Sequence, residues 1–198
     1  AVFAAIATLY AIAMLVAGGP KYILLAALLY APGTWLYWRA RREQAARAEE
    51  RKRFEDSPKT IGGLGRTCDY QSDDPAVRRK NTDETREWIV LARDIGSPSV
   101  KVRPNGLAKE VPEERTLEQI GKALRECGAV AADHGVTIQL EVHGETTSRL
   151  PRIRKILDYA DNHPGVRVCW NSNQTDLLDG GFEANFQSVR AQIGQVHM

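Results

Sequence analysis

Residues 136–146 read "VTIQLEVHGET". The stretch has the character of a strand that ends in chemistry. Side chains alternate along a strand, so Glu141 and His143, two apart, point to one face. A carboxylate and an imidazole at the carboxyl end of a strand suit a parallel barrel, where the strand ends converge on one site.

Working outward, the same pattern repeats. "RTCDYQ" (66–71), "VKVRPN" (100–105), "VTIQLEVH" (136–143), "VRVCWNS" (166–172) and "QVHM" (195–198) read as short strands. Helical stretches lie between them. "DPAVRRKNTDETREWIVLARDIG" opens on an Asp-Pro cap and closes at Gly96. "TLEQIGKALRECGAVAADHG" is expected to start at Thr116 as N-cap, with Gln119 completing a capping box, and to end at Gly135. "SRLPRIRKILDYADNHPG" and "GGFEANFQSVRAQIG" complete the set. The period, about 30 residues, is that of a βα unit. Such units build either a barrel or a doubly wound sheet. No G-x-G-x-x-G follows a strand, so a dinucleotide fold has no support. The glycine-rich "IGGLG" (61–65) lacks the Lys-Ser/Thr of a phosphate loop.

Polar groups stand at each strand end: Asp69, Lys101 with Arg103, Glu141 with His143, Asn171 with Asn173, and His197. That regularity favours a barrel whose active face gathers them. Five strands are countable, against eight in a closed barrel of about 250 residues. The expected fold class is α/β, a partial (β/α)8 TIM barrel of about five βα units, preceded by an α-helical transmembrane hairpin. The expected domains are two transmembrane helices (1–38), a basic helical linker (39–60) and the incomplete barrel (61–198).

The hairpin expectation comes from the first residues. "AVFAAIATLYAIAMLVAGG" is about the length that crosses a bilayer. "GGPKY" breaks it, and "YILLAALLYAPGTWLYW" reads as a second span. Trp35, Tyr37 and Trp38 precede the arginines as an interfacial aromatic belt would. A signal peptide fits poorly, because no basic stretch precedes the apolar run and a second span follows. Charge is segregated accordingly. Residues 39–53 hold seven basic and three acidic side chains, and with Lys21 the first 53 residues carry +5. The whole chain is +2, which leaves −3 on residues 54–198. Basic residues directly after an apolar span indicate the inner side of a membrane, not nucleic acid. The Ala/Glu/Arg-rich stretch after residue 40 is suited to prolong the second helix. Cys68, Cys127 and Cys169 are far apart and form no C-x-x-C pair, so buried thiols and a reducing compartment are expected.

Two resemblances add to this reading. "GPKYILLAALLYAPGTWLYWRARREQ" resembles the last membrane helix and tail of arginine/ornithine-type antiporters of the amino acid–polyamine–organocation superfamily. It covers about residues 1–44 and includes none of the substrate-holding helices, so it implies an origin and not a transport activity. "CDYQSDDPAVRRKNTDETREWIVLARDIGSPSVKVRPNG", "LEVHGE" and "VCWNSNQTDLLDGGFEANFQSVRAQIGQVHM" resemble the xylose isomerase-like barrels of sugar phosphate isomerases and epimerases, over about residues 60–198. The resemblance implies a divalent metal, Mn²⁺, Mg²⁺ or Zn²⁺, held by Glu, Asp, His and a last Glu from four strand ends. Glu141 matches the first and His197 the third. Asn171 stands where Asp is usual, which removes a negative charge and weakens the site. The fourth would lie beyond Met198. A metal weakly bound or absent is therefore expected.

The chemistry so implied is isomerisation or epimerisation through an enediolate. Glu141 would be metal ligand or base and, with His143, would form the catalytic pair. His143 would bind a substrate hydroxyl, Asn173 would line the sugar site, and Lys101 and Arg103 would hold an anionic group. The partner is a sugar or sugar phosphate. Each residue also has a structural reading: Glu141, Lys101 and Arg103 as ion-pair partners, His143 as a hydrogen-bonded strand end, Asn171 as a turn former, His197 as an exposed terminal residue.

Ala1 is not an initiator methionine and the last strand is cut by the terminus, so a piece missing at each end is expected, with an inactive domain as the result. Other readings are an antiporter fragment and a membrane-anchored binding module without catalysis. Whether the chain is an enzyme stays open. The joined chain is expected at a membrane with its C-terminal domain in the cytoplasm, and the barrel part alone in the cytoplasm. A mis-assembled reading frame would explain both ends at once.

Overall fold

The computed structural model describes residues 8, 10, 12, 13 and 16–197. The chain divides into two compact units, Ala1–Glu49 and Glu50–Met198. The first helix with defined bounds, α1, is Pro20–Glu55 and carries no buried residue. A turn at Gly18–Gly19 precedes it, and Pro20 opens it, where a missing N–H costs nothing. The charged stretch does prolong the helix, with Arg39–Glu43 and Arg51–Glu55 pairs one turn apart at 3.0 and 2.8 Å.

The transmembrane hairpin is not supported. No helix among the described residues is long and apolar enough to cross a membrane. The stretch expected as the second span lies inside α1, where Tyr22, Tyr30, Trp35, Tyr37, Trp38, Pro32, Gly33 and Thr34 interrupt the aliphatic residues. Its aromatic residues sit under arginines instead, Arg39 over Trp35 at 5.7 Å and Arg41 over Tyr37 at 5.6 Å. Most of the expected first span lies outside the described residues.

The second unit is a parallel sheet wrapped by helices. Its strands are β1 (Leu64–Cys68), β2 (Ser99–Pro104), β3 (Thr137–Glu141), β4 (Val166–Asn171) and β5 (Ile193–His197). They lie side by side in chain order. A doubly wound sheet would reverse that order at a switch point. Consecutive parallel neighbours are what a partial barrel requires.

The helices between them are α2 (Pro75–Ile95), α3 (Glu113–Asp133), α4 (Leu150–Tyr159) and α5 (Gly181–Val189). The bounds of α2 follow its caps. Asp74 accepts the Ala76 N–H at 2.8 Å, and Gly96 closes the helix in the left-handed region at φ 79°. The N-cap expected at Thr116 is wrong. Helix α3 starts a turn earlier, after Pro112, with Glu113 and Glu114 in its first turn. Those carboxylates favour the positive end of the helix dipole, and Thr116 is left buried in the helix interior.

Register explains why one face carries chemistry. Val100, Val102, Ile138, Leu140, Val166 and Val168 are all buried and form one core with Leu117, Ile120, Leu124, Ile153, Ile156 and Leu157 of the helices. Each such side chain contributes about 2 kcal/mol on burial. The intervening residues, with Lys101, Gln139, Glu141 and Asn171 among them, therefore point to the other face. That face is the barrel interior.

Candidate active site

Lys101, in the middle of β2, reaches Glu141 at the carboxyl end of β3. The Lys101 Nζ donates to Glu141 Oε1 at 2.7 Å. Asn171, at the end of β4, donates its Nδ2 to the same oxygen at 2.9 Å. His197, at the end of β5, brings Nδ1 to 4.0 Å from it. Three strands thus aim one side chain each at a carboxylate oxygen supplied by a fourth. The Glu141 side chain is 7% exposed and Lys101 26%. These groups line a cleft of 1260 Å³ together with Arg103, His143, Asn173 and Asp69.

Burial by itself would raise the Glu141 carboxyl. Hydrogen bonds from Lys101 and Asn171, and the Lys101 charge, outweigh it, so the group is held below its ordinary value of 4.5. It is an ionised, hydrogen-bonded carboxylate. Arg103 lies on the same face and has no ion-pair partner among the described residues. The expected structural ion pair thus holds for Lys101 and Glu141 and fails for Arg103, which is available to an anion.

His143 is not on the strand. β3 ends at Glu141, and Val142 and His143 begin the loop. Strand alternation therefore does not set its direction, and His143 reaches the cleft from the loop. Its carbonyl accepts the Thr147 hydroxyl at 2.7 Å, which fixes the loop backbone. Asn173 spends both amide hydrogens on carbonyls, Val142 at 2.9 Å and Asn171 at 2.8 Å. It ties the ends of β3 and β4 together.

The strand-end reading missed two features. Gln139 is buried one step below Glu141 and its Oε1 has no partner. Arg66 reaches across to α2, donating to Glu84 at 2.8 Å and Asn81 at 3.3 Å, and these line the cleft beside Trp88. Gln139 was legible as two residues before Glu141 on its strand. Arg66 was not, because its partners lie on a helix.

A family model described as xylose isomerase-like TIM barrel matches residues 29–198. The chain belongs to that family. No curated protein matches it. Among solved structures, the chain is similar to 3-keto-D-glucoside 4-epimerase from Escherichia coli, with TM-score 0.66 and 12% identity over 78% of this chain and 64% of that one. It is also similar to an L-ribulose 3-epimerase, with TM-score 0.65 and 18% identity over 76% and 54%. A third is the IOLI protein described with a binding zinc atom, with TM-score 0.64 and 17% identity over 76% and 55%. At these identities the likeness is one of fold. The chain spans between 54% and 64% of the length of these three structures.

The xylose isomerase-like match begins at residue 29, inside the stretch read from sequence as membrane span and antiporter tail. Neither the fold nor the comparisons support that resemblance or a membrane partner.

The family implies a divalent metal, and the donors of this cleft can be tested for it. Among the described residues no three His, Cys, Asp or Glu side chains are placed to hold an ion. Glu141 and His197 are the two candidates present, and the Glu141 oxygen that faces His197 already receives an ammonium and an amide hydrogen. Asn171 faces Glu141 with its nitrogen, as an amide beside an acceptor-only carboxylate must. This donor set does not fit a divalent metal.

Proposed function

We propose that the cleft binds a sugar phosphate and carries the proton-transfer group of an aldose–ketose isomerase or epimerase, within a site-bearing domain of residues 61–198. The observation that supports this best is the buried Glu141 carboxylate paired with Lys101, with the unpaired Arg103 on the same face. Arg103 holds the phosphate by charge-assisted hydrogen bonds. His143 and Asn173 meet sugar hydroxyls.

In this reading the Glu141 carboxylate takes the proton from the carbon next to the carbonyl. The C–H electrons move onto the carbonyl oxygen and form an enediolate. The Lys101 ammonium balances that charge. Return of the proton to the former carbonyl carbon, with the hydroxyl proton passing to the former carbonyl oxygen, gives isomerisation, and epimerisation requires a second acid on the opposite face of the same carbon.

The reaction is proposed for the whole protein. A carboxylate held below 4.5 is a weaker base than a free one. The test is calorimetric titration with a ketopentose 5-phosphate and a ketohexose 6-phosphate, beside NMR detection of solvent deuterium at the carbon next to the carbonyl. Binding is expected, weakened about tenfold by Arg103→Ala, or about 1.4 kcal/mol. No binding of either sugar phosphate, or binding indifferent to Arg103→Ala, overturns the reading. Deuterium incorporation abolished by Glu141→Gln would show that the chain is active as it stands.

A further inference from the structure

We infer that the Lys101 ammonium occupies the place a divalent cation would take beside Glu141 and keeps the ion from it. The inference rests on the proposed function only for the location of the site.

Three observations carry it. First, a single oxygen, Glu141 Oε1, is the focus of three side chains from β2, β4 and β5. Lys101 Nζ lies at 2.7 Å, Asn171 Nδ2 at 2.9 Å and His197 Nδ1 at 4.0 Å. A metal bound to Glu141 would sit about 2.0–2.3 Å from a carboxylate oxygen. At that oxygen it would lie against the ammonium, two cations around one acceptor.

Second, the Asn171 amide is committed. Its nitrogen faces Glu141, and its Oδ1 faces the Cys169 thiol at 3.8 Å. Turning the amide to offer its oxygen to an ion would set that oxygen against the carboxylate and lose the hydrogen bond.

Third, the cleft already carries positive charge in excess. Lys101 and Glu141 form a closed pair, and the other cleft carboxylates are engaged elsewhere. Glu84 pairs with Arg66 at 2.8 Å. Asp69 accepts from Gln71 at 3.1 Å and Asn105 at 3.5 Å. A divalent ion would add two positive charges to a cleft in which four cationic side chains, Arg66, Lys80, Lys101 and Arg103, already face three carboxylates. Lysine is suited to the place. It is a compact point charge on a flexible stem and can follow the charge from carboxylate to enediolate.

The experiment is a metal titration of the full chain, read by equilibrium dialysis with elemental analysis and by the Mn²⁺ paramagnetic resonance signal, without substrate. The wild type is expected to bind Mn²⁺ and Zn²⁺ no tighter than millimolar, with Glu141→Gln unchanged. Lys101→Met combined with Asn171→Asp removes the ammonium and restores a second carboxylate beside His197. That double variant is expected to gain at least a hundredfold in Mn²⁺ affinity. Micromolar binding by the wild type, lost in Glu141→Gln, would overturn the inference whether or not the variant folds. So would a folded double variant with no gain, because the ammonium would then not be what excludes the ion. Sugar phosphate binding plays no part in either readout, so a failed functional reading is told apart from a failure here.

Discussion

Lys101 and Glu141 are forty residues apart in the chain and reach each other from adjacent strands. Removing the cation leaves the carboxylate in a site where it is 7% exposed. Lys101→Met is expected to cost about 2 kcal/mol in urea unfolding, less than a fully buried pair because Lys101 keeps some water. Lys101→Met with Glu141→Gln should recover part of that loss, since no unpaired charge remains. The cysteines offer a second residue-scale check. All three are free and buried, and burial pushes Cys127 up to about 12 and raises Cys68 and Cys169 as well. None should react with a thiol reagent at pH 8 in the folded chain, and all three should react in urea.

At the scale of elements, α3 and α4 approach each other closely at Gly121. A methyl group at Gly121 would collide with Tyr159 and with the Ile156 carbonyl, 2.7 Å away. Glycine is required there because two helix backbones approach closely. Gly121→Ala is expected to destabilise by about 2 kcal/mol, measured by urea or thermal unfolding. The cap of α2 is a smaller device. Asp74→Ala loses one side-chain acceptor at the helix start and should cost about 1 kcal/mol in the same measurement.

For the whole molecule, acid is the expected weakness. Hydrogen bonding to Arg152 holds Glu113 below its ordinary 4.5, and hydrogen bonds from Lys155 and Tyr159 do the same for Glu114. The Arg149 hydrogen bond lowers Asp179 below 3.8. These pairs join α3 to α4 and α4 to the loop before α5. Each carboxylate binds its proton more weakly folded than unfolded, so its contribution is present in full above the unfolded value and vanishes as pH falls through the folded one. The urea midpoint should be level from pH 7 to about 5 and fall below about pH 4.5. Because these groups are exposed, added salt should shrink the effect.

By itself the sequence determined the parallel βα order, since short apolar strands and capped helices are local patterns with their own periods. It also determined which strand residues share a face, because a period of two places Lys101 with Arg103 and sets Glu141 and Asn171 opposite the buried valines and leucines. It misjudged what local pattern cannot resolve. His143 lay past the end of β3, and Thr116 lay inside α3, because helix and strand ends shift by a residue or a turn with tertiary packing. The apolar opening suggested a membrane hairpin, whereas the described helix is too interrupted to cross. Only the tertiary structure decided the partner of Glu141. Strand register set Lys101 and Asn171 against a single oxygen, and a metal-ligand pattern read along the chain carries no record of which side chain stands across from it.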